Sequence, residues 1–262
     1  MYVFDNAAPN ARARLAALSD VHDPDTIRHL LATGVTNGWK CLEVGGGLGT
    51  ITRWLSQRVG SPGSVLTTDI DTRFLETLHL ANVEVRCHDI IAGPHLHTNF
   101  DLVYARLVLQ HLSNPDVALD RMTAAIRPGG WLLVEDFEIL PEIPGSEEPA
   151  DRVSTTMAAM RRVAAGNGGD PRLGFSLARQ LRARGLLHVN TEGRMRLCRG
   201  NTAAARLARL NFEQLREPML ATGHLTIEQF NADVARLDDE NYEWRSPIMW
   251  TAWGQRPPGE PA

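Results

Sequence analysis

Leu42-Glu43-Val44-Gly45-Gly46-Gly47-Leu48-Gly49 is the stretch on which the fold of this chain turns. The apolar run 40–44 has the length of a strand, and the glycines after it allow a sharp turn and close approach of backbone to a ligand. Ile51, Trp54, Leu55 and Val59 then recur on one face of a helix. A strand, a glycine turn and a helix in that order put the loop where ligands of open α/β sheets sit, at a strand's carboxyl end. A tight strand–helix turn with no ligand has the same local pattern, so the loop alone assigns no chemistry.

The alternation continues on both sides. Upstream, DPDTIRHLLATG (23–34) reads as a helix with Asp23 as its cap, Pro24 in its first turn and Gly34 at its end. Downstream, SPGS turns the chain, 65–68 is a strand and 72–80 a helix, and 83–87 and 101–104 are further strands. Asn114-Pro115 opens a helix carrying Val117, Met122 and Ile126, which ends at Pro128-Gly129-Gly130, and WLLVEDF (131–137) is a fully buried strand. Strands alternating with helices imply a Rossmann-like, doubly wound α/β fold on a mostly parallel sheet.

After Asp136 the rhythm changes. Pro141, Pro144, Gly145 and Pro149 make a loop, and Val153, Met157, Met160 and Val163 form a helical stripe closed by GNGGDP. A short helix runs to Gly185, 188–198 reads as one strand, 201–216 as a helix, and Thr226 with Gln229 as a capping box. The last strand is 248–253. With no internal repeat or low-complexity linker, one elaborated domain is expected.

Composition narrows the function classes. The chain has 262 residues, 43% of them hydrophobic and 22% charged, enough to build a core. A formal charge of −4 gives no general attraction to nucleic acid or to an anionic membrane. Arg194, Arg196 and Arg199 read as the solvated face of a strand. No signal peptide is expected in MYVFDNAAPNARARL, and Cys41, Cys87 and Cys198 lie far apart, so buried reduced thiols in a cytoplasmic protein are expected. His95-x-His97 has no third ligand at a fitting spacing and reads as a loop pair.

The carboxylates carry more. Glu43 stands two residues before the first of the glycines, and G-x-G-x-G differs from both the dinucleotide fingerprint and the phosphate-binding P-loop. Asp69 closes the second strand, where a carboxylate accepts the hydroxyls of a ribose; Asp71 serves as the cap of the next helix. Asp89 follows the third strand, placed to accept from an adenine amino group, with Ile90 against the ring.

LEVGGGLG, TTDID, RCHDI, FDLVYARLVLQHL and IRPGGWLLVEDF together, in order and spacing across 39–137, resemble the class I S-adenosylmethionine-dependent methyltransferases. The resemblance implies that Glu43, Gly45, Gly46 and Gly47 meet the methionine end of S-adenosyl-L-methionine, Asp69 with Ile70 the ribose, and His88, Asp89 and Ile90 the adenine. It places Ala105 and Arg106 beside the methionine end, the Ala105 backbone at the cofactor ammonium, and Tyr2 to Asn6 folded over the cofactor. It also implies an antiparallel last strand in SPIMWTAWGQ. The nucleic-acid amine branch carries an Asn/Asp-Pro-Pro-aromatic motif after the fourth strand, where this chain has Tyr104-Ala105-Arg106-Leu107. The expected acceptor is therefore a small molecule, with no nucleic-acid or membrane partner, a homodimer as the candidate assembly, and secondary metabolism as a setting. The similar branch includes bacterial quinone and natural-product enzymes.

The domain then divides into an N-terminal helical segment (1–38), a cofactor-binding core (39–137), a stretch with the substrate lid and sixth strand (138–200), and C-terminal helices with the last strand (201–262). The lid is residues 140–174, with plain core packing of Met157 and Met160 as the alternative. His111 is the candidate general base, a satisfied helix histidine being the alternative, and Glu135 and Asp136 come next. Two other functions share the pattern: a nucleotide-dependent oxidoreductase, and a non-catalytic subunit that keeps the cofactor fold.

Overall fold

The computed structural model describes residues 3–96, 99–139, 155–166 and 168–259. Seven strands form one sheet: β1 (Lys40–Val44), β2 (Ser64–Asp69), β3 (Val83–Cys87), β4 (Phe100–Arg106), β5 (Ile126–Glu138), β6 (Leu187–Arg194) and β9 (Ile248–Gln255). Their order is β3-β2-β1-β4-β5-β9-β6; the first five are parallel, and β9 runs antiparallel to both neighbours. The sheet is laid down from β1 outward to β3 and then, on the other side, from β4 onward, so the strand order reverses between β1 and β4 and leaves a crevice at their carboxyl ends.

The helices follow from local chemistry. α2 (Thr50–Val59) buries Ile51, Leu55 and Val59 on the face the spacing predicts. α3 (Pro115–Ala125) begins with Asn114 accepting from the Val117 N–H at 3.4 Å and Pro115 in its first turn, where a missing N–H costs nothing. α5 (Leu173–Ala183) packs Leu177 and Leu181 on the sheet core and stops before Gly185, whose φ is +75°.

Five boundaries differ from the sequence reading. α3 stops at Ala125, so Ile126 and the Pro128-Gly129-Gly130 read as the helix end already belong to β5, where Ile126 pairs with Phe100 of β4. α1 spans Ala11–Ala32, so Pro24 lies inside it and Asp23 caps nothing; the Asp23 carboxylate instead takes a 2.8 Å bond from Arg106. Tertiary contacts override the local start signal. The helix expected at 72–80 is only a 3-10 turn at Leu75–Thr77, and Asp71 accepts from the Arg73 N–H in a tight turn. The strand expected at 188–198 breaks in two: β6 joins the main sheet, and β7 (Leu197–Arg199) pairs with β8 (Glu243–Arg245). The helix 201–216 divides into α6 (Ala203–Gln214) and α7 (Arg216–Ala221). The capping box at Thr226 and Gln229 is present and opens α8 (Ile227–Arg236).

A second core lies away from the sheet. α4 (Thr155–Gly166) packs with α6, α7 and α8 around Phe212, Met219, Phe230 and Trp244, and Met157 and Met160 lie against that cluster. Core packing is thus what these two methionines do among the described residues. Val153, much of 140–174, Tyr2 and His97 lie outside the described residues. Among those described, no helix is long and apolar enough to cross a membrane, and no group of three or more His, Cys, Asp or Glu gathers as a metal site. Cys41 and Cys198 are buried, but Cys87 is exposed at the end of an edge strand, contrary to the expectation for all three.

Arg194 and Arg196 also depart from the solvated-face reading. Arg194 reaches Glu135 at 3.3 Å, and Arg196 pairs with Asp25; Arg199 alone of the three is exposed. Glu135, 1% exposed, accepts from Thr26 and Thr251 at 2.6 Å each, and from Tyr104 and Arg194 at 3.3 Å each. This network ties α1 to β4, β5, β6 and β9, and it satisfies a charge that would otherwise be costly to bury.

Candidate functional site

The glycine loop shapes one wall of a cavity of about 400 Å³ at the carboxyl ends of β1, β2, β3 and β4. Gly45, Gly47 and Gly49 all have left-handed φ values (+77°, +54° and +78°) that other residues adopt only under strain. Gly46 has ordinary dihedrals but no room: a Cβ there would lie 2.2 Å from the Thr67 Oγ1. The loop backbone is held from behind, because Gly45 and Gly46 both donate to the Thr68 carbonyl, at 2.7 and 3.1 Å.

Three carboxylates face this space. Glu43, 3% exposed, accepts a short hydrogen bond from Thr52, and burial pushes its pKa up to about 7 against the opposing pull of that hydroxyl and of Arg106. Asp69 accepts from the Gly47 N–H at 3.0 Å and from the Asp71 N–H at 3.1 Å, which fixes its orientation against the loop; burial raises its pKa above the usual range. Asp89 accepts from the Ile91 and Ala92 N–H groups through Oδ1, at 2.7 and 3.1 Å. Arg106 is the only guanidinium on the described wall, and it is engaged by Asp23 and Thr26 at 2.8 and 2.9 Å. The wall is therefore acidic and suits a cationic ligand better than a pyrophosphate.

Ile70 is 59% exposed on the wall, an apolar surface of the kind a flat ring covers, and the buried Ile90 lines the same cavity. His88 is 8% exposed, its Nε2 has no partner among the described residues, and burial lowers its pKa, so it stands as a neutral imidazole. A carboxylate at the amino-acid end, another at a strand end for a diol, and an apolar face with open polar atoms match the parts of an adenosyl amino acid bearing an ammonium and a sulfonium.

Of the residues named from sequence, Glu43, Gly45, Gly46, Gly47, Asp69, Ile70, His88, Asp89, Ile90, Arg106 and His111 all line this cavity. Ala105 is buried in β4 and does not; Tyr104, Leu107 and Val108 take the wall beside it. Glu135 and Asp136 are absent from the wall as well. Glu135 is saturated by its four donors, and Asp136, fully buried, accepts from the Gln110 and Phe137 N–H groups with its pKa pushed by burial to about 7. His111 lies in a 3-10 turn, Leu109–His111, rather than a helix. Its ring meets the edge of Phe4 at 6.4 Å, and burial first, then Arg14, depress its pKa to about 4.

The sequence places Tyr2 to Asn6 over the cofactor, and Asn6 does line the cavity, but the part of the roof that α1 supplies was missed. Leu15, Leu18 and Ser19 of α1 close the cavity from above, and Asn6 joins them from the N-terminal segment. The spacing of 15, 18, 19 and 22 was a helical signal, hidden by reading Pro24 as a helix start.

Residues 42–134 match the family described as a methyltransferase domain. The ubiquinone/menaquinone biosynthesis C-methyltransferase UbiE of Laribacter hongkongensis is 34% identical over 116 residues, covering 41% of this chain and 47% of that protein. The chain thus spans about half the length of the curated relatives it matches. Among solved structures, the YcgJ protein of Bacillus subtilis aligns with a TM-score of 0.60 at 12% identity, over 91% of this chain and 100% of that one. A putative methyltransferase of Bacillus halodurans aligns at 0.58 and 15%, over 89% and 99%. At those identities the structural likeness concerns the fold.

Proposed function

We propose that this chain, whose residues 42–134 match a methyltransferase domain, is a class I S-adenosylmethionine-dependent methyltransferase that methylates a small-molecule acceptor. The observation that carries the reading is the acidic, glycine-walled cavity in which Glu43, Asp69 and Asp89 surround a space with one neutralised arginine. An ammonium and a sulfonium gain there, whereas a dinucleotide pyrophosphate would face repulsion, which disfavours the oxidoreductase alternative.

When bound, S-adenosylmethionine supplies a methyl group already activated on sulfur. What remains for the protein is alignment and exclusion of water. Gly45 to Gly47 and Glu43 hold the amino-acid end, Asp69 the ribose, and His88 with Asp89 the adenine edge, while Ile70 covers a ring face. Leu15 and Leu18 exclude water from above. His111, a neutral imidazole on the cavity wall, is the candidate to take a proton from an acceptor hydroxyl, and its pKa lowered to about 4 makes it a weak base for that step. The stretch 140–174, which includes α4, supplies the acceptor lid, a reading supported by its position after β5. The relative's printed name makes a quinone-type carbon acceptor the leading class, with oxygen and nitrogen nucleophiles as the others. A homodimer, a cytoplasmic setting and a role in secondary metabolism complete the reading.

The test pairs binding with turnover. Calorimetry is expected to show tight binding of S-adenosylhomocysteine and none of NAD. Labelled methyl is expected to pass from S-adenosylmethionine to at least one reduced quinone. Binding of NAD alone reverses the assignment; cofactor binding with no transfer to any member of a broad acceptor panel makes the chain a non-catalytic subunit.

A further inference from the structure

We propose that His22 is a specificity-determining residue that hydrogen-bonds the polar group of the methyl acceptor at the carboxyl end of β5. This rests on the methyl-transfer reading and deepens it by naming the group that reads the acceptor.

His22 lies on α1 one turn beyond the roof, just outside the cavity lining. It lies four residues beyond Leu18 and three beyond Ser19, both on the cavity wall, and so shares their face of α1. Its ring meets Phe137, near the carboxyl end of β5, edge to face with centroids 5.6 Å apart. Next to it in the chain, Asp23 holds Arg106, which belongs to the cavity wall. His22 thus stands between the cofactor cavity and the end of β5, on the carboxyl side of the sheet where ligands of such folds bind.

Chemistry singles it out from its surroundings. The side chain is 6% exposed, yet its Nδ1 is buried with no partner among the described residues. A buried polar atom left unpaired costs stability, and a phenylalanine would pack on Phe137 equally well, so the nitrogen has no structural return. The charged groups around it are cationic: Arg106, Arg194 and Arg196 all oppose its protonation. These cations are themselves paired, Arg106 to Asp23, Arg194 to Glu135 and Asp25, and Arg196 to Asp25. Burial first and these arginines second hold His22 neutral, with its pKa lowered to about 3. A neutral imidazole offers one N–H and one lone pair. Beside an aromatic ring, that is a site for a flat acceptor bearing a hydroxyl or carbonyl oxygen.

Anaerobic 1,4-dihydroxynaphthalene is the probe, added to the full chain saturated with S-adenosylhomocysteine. In His22→Phe the probe's Kd is expected to rise about tenfold, the size of one hydrogen bond, with S-adenosylhomocysteine affinity unchanged within twofold. The same variant is expected to melt at a higher temperature, because an unpaired buried nitrogen has been removed; a merely structural histidine would melt lower. His22→Gln, which keeps a polar atom, is expected to recover part of the loss. In the unmodified chain the imidazole 15N resonances of His22 are expected to shift on adding the probe, a readout independent of how the variants fold. Unchanged probe affinity in His22→Phe, no 15N shift, or no probe binding by the saturated wild type each overturns the assignment. Failure of S-adenosylhomocysteine to bind the wild type would instead defeat the underlying methyl-transfer reading.

Discussion

Replacing Asp69 with Asn tests the ribose assignment with the least change in shape. The Asp69 carboxylate offers about four lone-pair sites. Two face backbone donors, the Gly47 N–H at 3.0 Å and the Asp71 N–H at 3.1 Å, and the others are available to a diol. An amide keeps only one oxygen, so one ribose hydroxyl loses its acceptor and the other bonds a neutral group instead of a charged one. Charge-assisted bonds contribute about 1.5–3 kcal/mol and neutral ones about 1 kcal/mol, so the variant loses about 3 kcal/mol of binding. That is a Kd for S-adenosylhomocysteine raised on the order of 100-fold, measured by calorimetry. The amide NH2 must also face one of the two backbone donors, so a small drop in melting temperature accompanies the loss. With the 2′-deoxy ligand the penalty is expected to shrink, because one partner is already missing. A Kd within threefold of wild type in a folded Asp69→Asn protein, or an equal penalty with the deoxy ligand, refutes the reasoning.

Three further outcomes follow from the geometry. Gly46→Ala forces a Cβ to 2.2 Å from Thr67 Oγ1 and 3.0 Å from Leu75, so it is expected to cost about 1–3 kcal/mol in urea unfolding and to weaken S-adenosylhomocysteine binding; Gly34→Ala, at φ +84° in open space, costs about 1 kcal/mol and leaves binding unchanged. Glu43 has a folded-state pKa raised to about 7, so its neutral form is favoured: its contribution is full below the unfolded value near 4.5 and is lost as pH rises through 7, a span of at most about 3 kcal/mol. Urea unfolding at both ends of that window is expected to show a smaller pH dependence in Glu43→Gln than in wild type. Glu135→Ala leaves Arg194 facing a vacated partner in a buried network and is expected to destabilise by about 3–5 kcal/mol, seen as a lower denaturant midpoint.

The parts of the site carried by single loops were legible in the sequence. Glycines that need left-handed backbone, acids that end parallel strands, and Asn114-Pro115 at a helix start each express a local rule that the fold obeys. What was hidden depended on partners distant in the chain. Pro24 is a helix start by its local chemistry, but Arg106 and Glu135 gather Asp23 and Thr26 from eighty or more residues away and carry the helix through it. Arg194 and Arg196 look like surface residues until α1 brings Asp25 to them. The 72–80 segment had helical spacing, yet packing Leu75 and Leu78 over the glycine loop leaves room for one turn only.

Pro24 divides α1 mechanically. Lacking an N–H, it cannot donate to the Asp20 carbonyl, so the helical ladder has a missing rung between Ser19, the last roofing residue, and Thr26, which is bolted to the sheet through Glu135. One half is a fixed post; the other is a beam held by its packing and by the Ser19–Thr50 hydrogen bond to α2. Amide hydrogen exchange would show the two halves as separate units, the beam exchanging faster than the post and slowing once a nucleoside lies beneath it.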